Sequence, residues 1–290
     1  MKRQLFRHFE RLRVRWAEVD MQKIVFNGHY LMYVDTAIAG YWRAMALPYH
    51  DTMASLQGDL FVRKATLEYL GSARYDDLID VGVRCERIGN SSMIFQSAVF
   101  SGETALVTGE LVYVFADPTT QTSRPVPAKL REVMMGFEAG EPMVQVKTGS
   151  WDVWGAQAHP LRKAVFVDEQ KIPAELEWDA ADATALHALA VNRLGAGLGT
   201  GRLVDLGQGS GKIGRMAVLR DVRGARVGRL VLDALLKAAQ DRGLTRVLLH
   251  AQSTAVGFYL RAGFRPEGAI FEEAGIAHQE MVIDLPGHKS

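Results

Sequence analysis

Two short stretches of this 290-residue chain hold side chains whose types and spacing could do chemistry. In RVRWAEVDMQKIVFNGHYLMYVDTA, the alternating Val14 and Trp16 end a strand, and Asp20 stands in the loop that follows, before an amphipathic run. A carboxylate there can sit in solvent, cap the helix, or act as base or nucleophile beside the amides of a helix N-terminus. The residue types alone leave these open, and a loop acid or a cap is the ordinary outcome. In the second stretch, Arg223-Gly224-Ala225-Arg226-Val227-Gly228 opens another amphipathic run, with Arg229 next in line. Glycines at a helix entry let backbone N–H groups approach an anion, while the helix dipole and the three arginines add positive potential. A pyrophosphate suits such a turn, and a tight strand-to-helix connection with solvated arginines explains the same letters. Neither GxxxxGK[ST] nor GxGxxG occurs here, which argues against a P-loop and a Rossmann site.

Other polar groups are less specific. Glu169, Glu175, Glu177, Asp179 and Asp182 form an acidic stretch that could attract an amine, although a charge run is ordinarily a solvated face. His278 is a possible base. His29 and Glu18 lie near Asp20, and Ser91 and Ser92 follow the Gly89-Asn90 turn. His187 and His250 make no HxxxH pair, and the single Cys85 lies in the other half, so no metal site is expected.

These residues need elements to position them. From Phe9 to Asp117, period-2 apolar runs surround one period-3.6 stretch, which predicts an antiparallel sheet interrupted by a helix. Leu31, Val34, Ile38, Tyr41 and Met45 fall on one face of that helix, between Asn27 as a cap and the breaker Pro48. Strands are expected at 61–70, 78–87, 92–100 and 105–116, and a short helix at 128–137. After the EAGEP hinge the pattern alternates: a helical stretch at 161–170, extended stretches at 185–193 and 202–206, then strand 213–219, helix 227–241 and strand 246–251. That last group reads as a βαβ unit. The domains are placed at 1–140 and 141–290, without an internal repeat.

Composition bounds the rest. Apolar residues are 48% and charged residues 23% of the chain, close to the soluble average, which argues against disorder, collagen-like fibre and coiled coil. With 34 Lys and Arg against 33 Asp and Glu, no global field draws the protein to nucleic acid. No apolar run reaches the ~20 residues of a spanning helix, and the charged start MKRQLFRHFERLRVRW is unlike a secretory signal. A cytoplasmic location is expected.

Asp20, Val25, Asn27 and Tyr30, with Leu67-Glu68-Tyr69 and Ala73-Arg74-Tyr75-Asp76-Asp77, resemble the hot-dog acyl-CoA thioesterases of the 4-hydroxybenzoyl-CoA and YbgC/FadM type over residues 5 to 137. The resemblance implies a central helix wrapped by a five-stranded antiparallel sheet, subunit pairing with sites at the interface, and Asp20 beside the thioester carbonyl. It makes amides within Asn27 to Tyr30 candidate oxyanion donors, and Tyr30, Ser91 and Ser92 candidate substrate contacts. Many relatives have His or Tyr at Asn27, which either positions water or caps the helix.

RMAVLRDVRGARVGRLVLDALL followed by HAQSTAVGFYLRAGF resembles the acetyl-CoA core of the GNAT N-acetyltransferases, in their ElaA-like branch, over residues 144 to 285. Val165-Phe166-Val167-Asp168-Glu169-Gln170 and Glu272-Glu273-Ala274-Gly275-Ile276-Ala277-His278 support that branch. The family cradle matches at Arg223 and Gly228 but has Arg226 at an inner glycine position. By resemblance, Met216, Ala217, Val218 and Gln252 lie along the pantetheine arm, Arg223 to Arg229 hold the pyrophosphate, and Tyr259 protonates the departing thiolate. Glu169 and His278 are candidate contacts to the acceptor.

The fold class is therefore α+β, a hot-dog domain followed by a GNAT domain. The expected function is bifunctional: hydrolysis of an acyl-CoA and acetyl transfer from acetyl-CoA to a small amine or peptide amine. Both thioesters are co-substrates, no tightly bound cofactor is expected, and the chain pairs as a homodimer or homotetramer. The alternative is a first domain that only dimerises or binds acyl chains in support of the second.

Overall fold

A computed structural model describes residues 1–286. Two compact units are divided between Met143 and Val144. In the first, the elements are β1 (His8–Arg13), α1 (Asn27–Ala44), α2 (Tyr49–Ser55), β2 (Asp59–Tyr69), β3 (Leu78–Ile88), β4 (Ser92–Ser101), β5 (Thr104–Ala116) and α3 (Ala128–Glu138). The strands form one antiparallel sheet in the order β1-β3-β4-β5-β2. Alternation in β3 and β4 buries Val81, Val83, Met93 and Phe95, and α1 lays Tyr30, Tyr33, Val34, Ala37, Ile38 and Tyr41 into the core. Burying each such large side chain contributes about 1.5–3 kcal/mol. Leu31, on the expected apolar face, is instead 40% exposed.

The helix can approach β1 because residue 40 is glycine: a Cβ there would lie 2.8 Å from His8 Nε2. At the far end, Glu138 of α3 accepts from the Tyr41 hydroxyl and from the Cys85 amide, both at 2.7 Å, tying α3 to helix and sheet. Two expectations change here. Asn27 is the first helical residue rather than the cap, which is Phe26, and it makes no side-chain capping bond. The strand before Asp20 ends at Arg13, and Trp16 opens a short 3-10 turn.

The second unit contains β6 (Val144–Gly149), α4 (Trp151–Arg162), a π-helical turn (Lys163–Glu169), α5 (Ala174–Glu177), β7 (Leu186–Asn192), β8 (Gly197–Gly207), β9 (Ser210–Val218), α6 (Val227–Asp241), β10 (Arg246–Gln252), α7 (Val256–Arg261), β11 (Arg265–Glu273) and β12 (Ile276–Asp284). They form a seven-stranded sheet ordered β11-β12-β10-β9-β8-β7-β6, in which only β9 and β10 run parallel. Helix α6 is the crossover between that pair, with Val227, Val231, Leu232, Leu235 and Ala239 buried.

The acidic stretch is a solvated face only in part: Glu169, Glu175 and Asp179 are exposed, but Glu177 and Asp182 are buried. Arg162, 1% exposed, donates to Glu177 at 2.5 Å and to Asp182 at 2.7 Å. Arg202 bridges Asp179 and Asp182, and Arg215 reaches Glu177 and Asp179. The rings of Trp151 and Trp178 lie 5.4 and 4.7 Å from the Arg162 guanidinium carbon.

Candidate functional sites

In the first unit, the loop before α1 is closed by local bonds. The Asp20 amide donates to the Ile24 carbonyl and the Lys23 amide to the Asp20 carbonyl, both at 2.9 Å, while the Val25 amide donates to Ala73. Asp20 Oδ1 accepts from the Gln22 amide at 2.8 Å, the bond an ordinary loop aspartate makes. More informative is its position in a cavity of about 510 Å³, lined also by Met21, Phe26, Asn27, Tyr30 and Tyr69. At the helix start, the His29 amide turns back to the Phe26 carbonyl at 2.9 Å and the first full turn closes one residue later. The amides of Asn27 and Gly28 are thus the donors without intrahelical partners, a narrower set than Asn27 to Tyr30.

Tyr30 is buried and accepts from the Ala73 amide at 2.9 Å, and burial pushes its phenol above the ordinary range. The Tyr69 hydroxyl donates to the Asn27 carbonyl at 3.1 Å, a contact not drawn from the sequence beyond its place in Leu67-Glu68-Tyr69. Ser91 and Ser92 form the β3–β4 turn, where their carbonyls accept from Phe115 and Gly89, and they do not line the Asp20 cavity. Glu18 is buried between Arg15 and Tyr33; burial opposes its charge, but hydrogen bonds from both partners hold the carboxyl below the usual range.

In the second unit, the parallel pairing of β9 and β10 extends only from Ser210/Arg246 to Ile213/Leu249. Beyond it the strands part. On the other side β9 slips register against β8 between Thr200 and Arg202, and Arg215 takes a left-handed φ of 51°. Gly201 fits this bulge because a Cβ there would lie 2.5 Å from Met216 Sδ. Met216, Gln170, Gln252, Ala255 and Tyr259 line cavities on both sides of the gap. Gln252 donates to Gln170 at 2.8 Å.

One cavity, of about 760 Å³, runs along Met216 and Val218 to Arg223, Gly224, Arg226, Val227, Gly228 and Arg229 at the start of α6. Gly224 and Arg226 both have left-handed φ, 92° and 63°, so Arg226 adopts the geometry that a glycine favours. Two expected contacts lie elsewhere. Alternation turns Ala217 into the Val165–Phe166 cluster, and Ala225, whose amide donates to Val222 at 3.1 Å, is outside the cavity lining. Glu169 pairs bidentately with Arg223 at 2.6 and 2.7 Å, which holds its carboxyl below the usual range and keeps it with the cradle rather than the acceptor side.

The other cavity, of about 560 Å³, is lined by Asp179, Arg202, Lys212, His250, Glu273 and His278 among others. Of these, only His278 and Asp179 had been singled out from sequence as candidates for the acceptor. Lys212, Arg202 and Glu273 carried no spacing signal, since they come from three different strands. Tyr259 is 7% exposed, and burial pushes its phenol up to about 12.

A helix wrapped by a five-stranded antiparallel sheet defines the hot-dog class; a parted parallel pair ending at a glycine- and arginine-rich helix entry defines the GNAT class. Residues 22–108 match the thioesterase superfamily model, beginning just after Asp20, and residues 157–285 match the acetyltransferase (GNAT) domain model. The uncharacterized N-acetyltransferase YjcF of Bacillus subtilis strain 168 is 39% identical over 43% of this chain and 88% of its own length. The acyl-CoA thioester hydrolase YbgC of Escherichia coli O6:H1 is 25% identical over 41% of this chain and 89% of its own. A solved thioesterase complexed with coenzyme A and Zn from Thermus thermophilus covers 48% of this chain and 99% of its own, at 24% identity and a TM-score of 0.42. The chain belongs to the GNAT acetyltransferase family through its second half, and its first half, of hot-dog fold, matches the thioesterase superfamily model.

Proposed function

We propose that the protein is a bifunctional acyl-CoA enzyme, hydrolysing an acyl-CoA thioester in the first unit and transferring acetyl from acetyl-CoA to an amine in the second. One observation carries the reading: in each unit a side chain able to transfer a proton, Asp20 or Tyr259, lines a cavity that also includes a helix N-terminal turn, that of α1 or of α6. In the first, the Asp20 carboxylate attacks the thioester carbonyl or activates water, and the Asn27 and Gly28 amides receive the oxyanion. Asn27 lines the same cavity and orients the water. In the second, amides of α6 with Arg223, Arg226 and Arg229 hold the pyrophosphate, Met216, Val218 and Gln252 flank the pantetheine arm, and Tyr259 protonates the leaving sulfur. A phenol raised by burial keeps its proton at neutral pH, as this role requires. Both thioesters are substrates, and the cytoplasm supplies them.

The test is thiol release from a panel of acyl-CoAs, with and without amines. Asp20→Asn should lower hydrolysis about 10²- to 10⁴-fold, the range for loss of a general base. Hydrolysis equal in wild type and variant, or absent from both, would instead favour a first unit that only binds acyl chains or pairs subunits. Tyr259→Phe should lower acetyl transfer about 10²-fold at unchanged acetyl-CoA affinity; lost affinity would mark Tyr259 as packing.

A further inference from the structure

We infer that His278 is the base that takes the proton from the acceptor amine in the second unit. The inference rests on the acetyl-transfer reading above. His278 lies on β12 directly opposite Gln252 of β10, so both side chains leave the same face of the sheet, at the gap where the two cavities meet. Its Nδ1 lies 2.8 Å from the Ile276 carbonyl oxygen, which can only accept, so Nδ1 bears the hydrogen. In the neutral ring, that leaves the lone pair on Nε2. Phe271 holds the ring plane, with centroids 6.0 Å apart and a 24° tilt.

The other titratable groups facing this cavity are engaged. His250 of β10 meets Glu273 of β11 through Nδ1 at 3.0 Å and Glu280 of β12 through Nε2 at 3.4 Å, with Lys212 Nζ of β9 at 3.2 Å. Both of its nitrogens face carboxylates. Burial opposes the charge of Glu273, but the His250 bond and nearby cations hold its carboxyl below the usual range, which makes it a poor base. Asp179 is bound by Arg202 and Arg215, and Glu177 by Arg162 and Arg215. Tyr259 must keep its proton for sulfur until the C–S bond breaks, so it does not deprotonate the incoming amine.

The step balances. The protonated amine first passes one proton to His278 Nε2, which frees the nitrogen lone pair, and His278 releases that proton to solvent. The nitrogen then bonds to the acetyl carbon, the C–S bond breaks with its electron pair staying on sulfur, and sulfur takes the Tyr259 proton. The second N–H proton, lost as the amide forms, passes through solvent to the phenolate.

The test compares wild type with His278→Asn, whose amide can still donate to Ile276. For alkylamines, protonated at neutral pH, kcat should fall about 10²-fold with acetyl-CoA affinity retained and the acidic limb of the pH profile moved. For hydroxylamine or an aniline, already neutral, the loss should shrink to a few-fold. Equal losses for all amines, or none, would overturn the assignment while leaving transfer intact. Wild-type protein that binds acetyl-CoA but acetylates no amine would overturn the transfer reading itself. Independently, ¹⁵N shifts of the His278 ring should report hydrogen on Nδ1; hydrogen on Nε2 alone would overturn the base.

Discussion

At the scale of single residues, the strongest departure from family pattern is Arg226, whose left-handed φ of 63° forces a side chain into a glycine's conformation. Such a residue costs about 1–2 kcal/mol. Arg226→Gly should therefore raise the midpoint of thermal unfolding by a few degrees. It also removes a cation from the cradle, so acetyl-CoA affinity should weaken several-fold at low salt and by less at high salt. Calorimetric binding at two ionic strengths, beside a thermal scan, checks both. An unchanged midpoint would mean that the turn tolerates the arginine without strain. Asp20 was legible as a candidate because it precedes an amphipathic run, Tyr259 only through the resemblance of the HAQSTAVGFYLRAGF stretch. The partners around them were not, because Tyr69, Gln170 and Lys212 reach the cavities from elements remote in sequence.

At the scale of elements, Arg162 at the end of α4 joins the helix to the acidic segment that follows. Removing one member of a buried ion pair costs about 3–5 kcal/mol, because the remaining charge is stranded. Arg162→Met should therefore destabilise the protein by that order in urea unfolding; a loss below about 1 kcal/mol would show that Arg202 and Arg215 compensate. Bonds from Arg202 hold the Asp179 carboxyl down, from 3.8 to about 2, against the opposing effect of burial. A depressed carboxylate stabilises the fold above its unfolded value, and that stability is lost as pH falls from about 4 towards 2. Asp179→Asn should flatten the acid-unfolding curve in that window.

Periodicity marked α1, α6 and the strands β3 to β5 well, since each has one buried face. It passed over β11, whose residues are nearly all exposed, and the first half of β8. In Gly197-Leu198-Gly199-Thr200-Gly201 the glycines interrupt any apolar alternation, yet they permit close packing: a Cβ on Gly199 would lie 2.8 Å from the Ala217 carbonyl oxygen. Likewise, Glu177 and Asp182 looked solvated because their partner, Arg162, precedes them by a helix and a loop.

At the scale of the whole molecule, the change from alternating strands to mixed helix and strand near residue 140 was visible in sequence, and two units divide at Met143 and Val144. Strand β2 is an edge of the first sheet, eleven residues long and mostly exposed, with Val62 55% and Tyr69 50% accessible. An exposed edge of that length invites pairing with another copy. We expect light scattering to give at least twice the 32.0 kDa chain mass, and Val62→Lys to shift the species towards monomer. A wild-type monomer would sink the pairing. If β2 does join copies, it also fixes valency: every particle offers two or more of the proposed acetylating centres. A substrate displaying many amines along one polymer would then be gripped by avidity, through rebinding at a neighbouring centre, without any tighter contact at either.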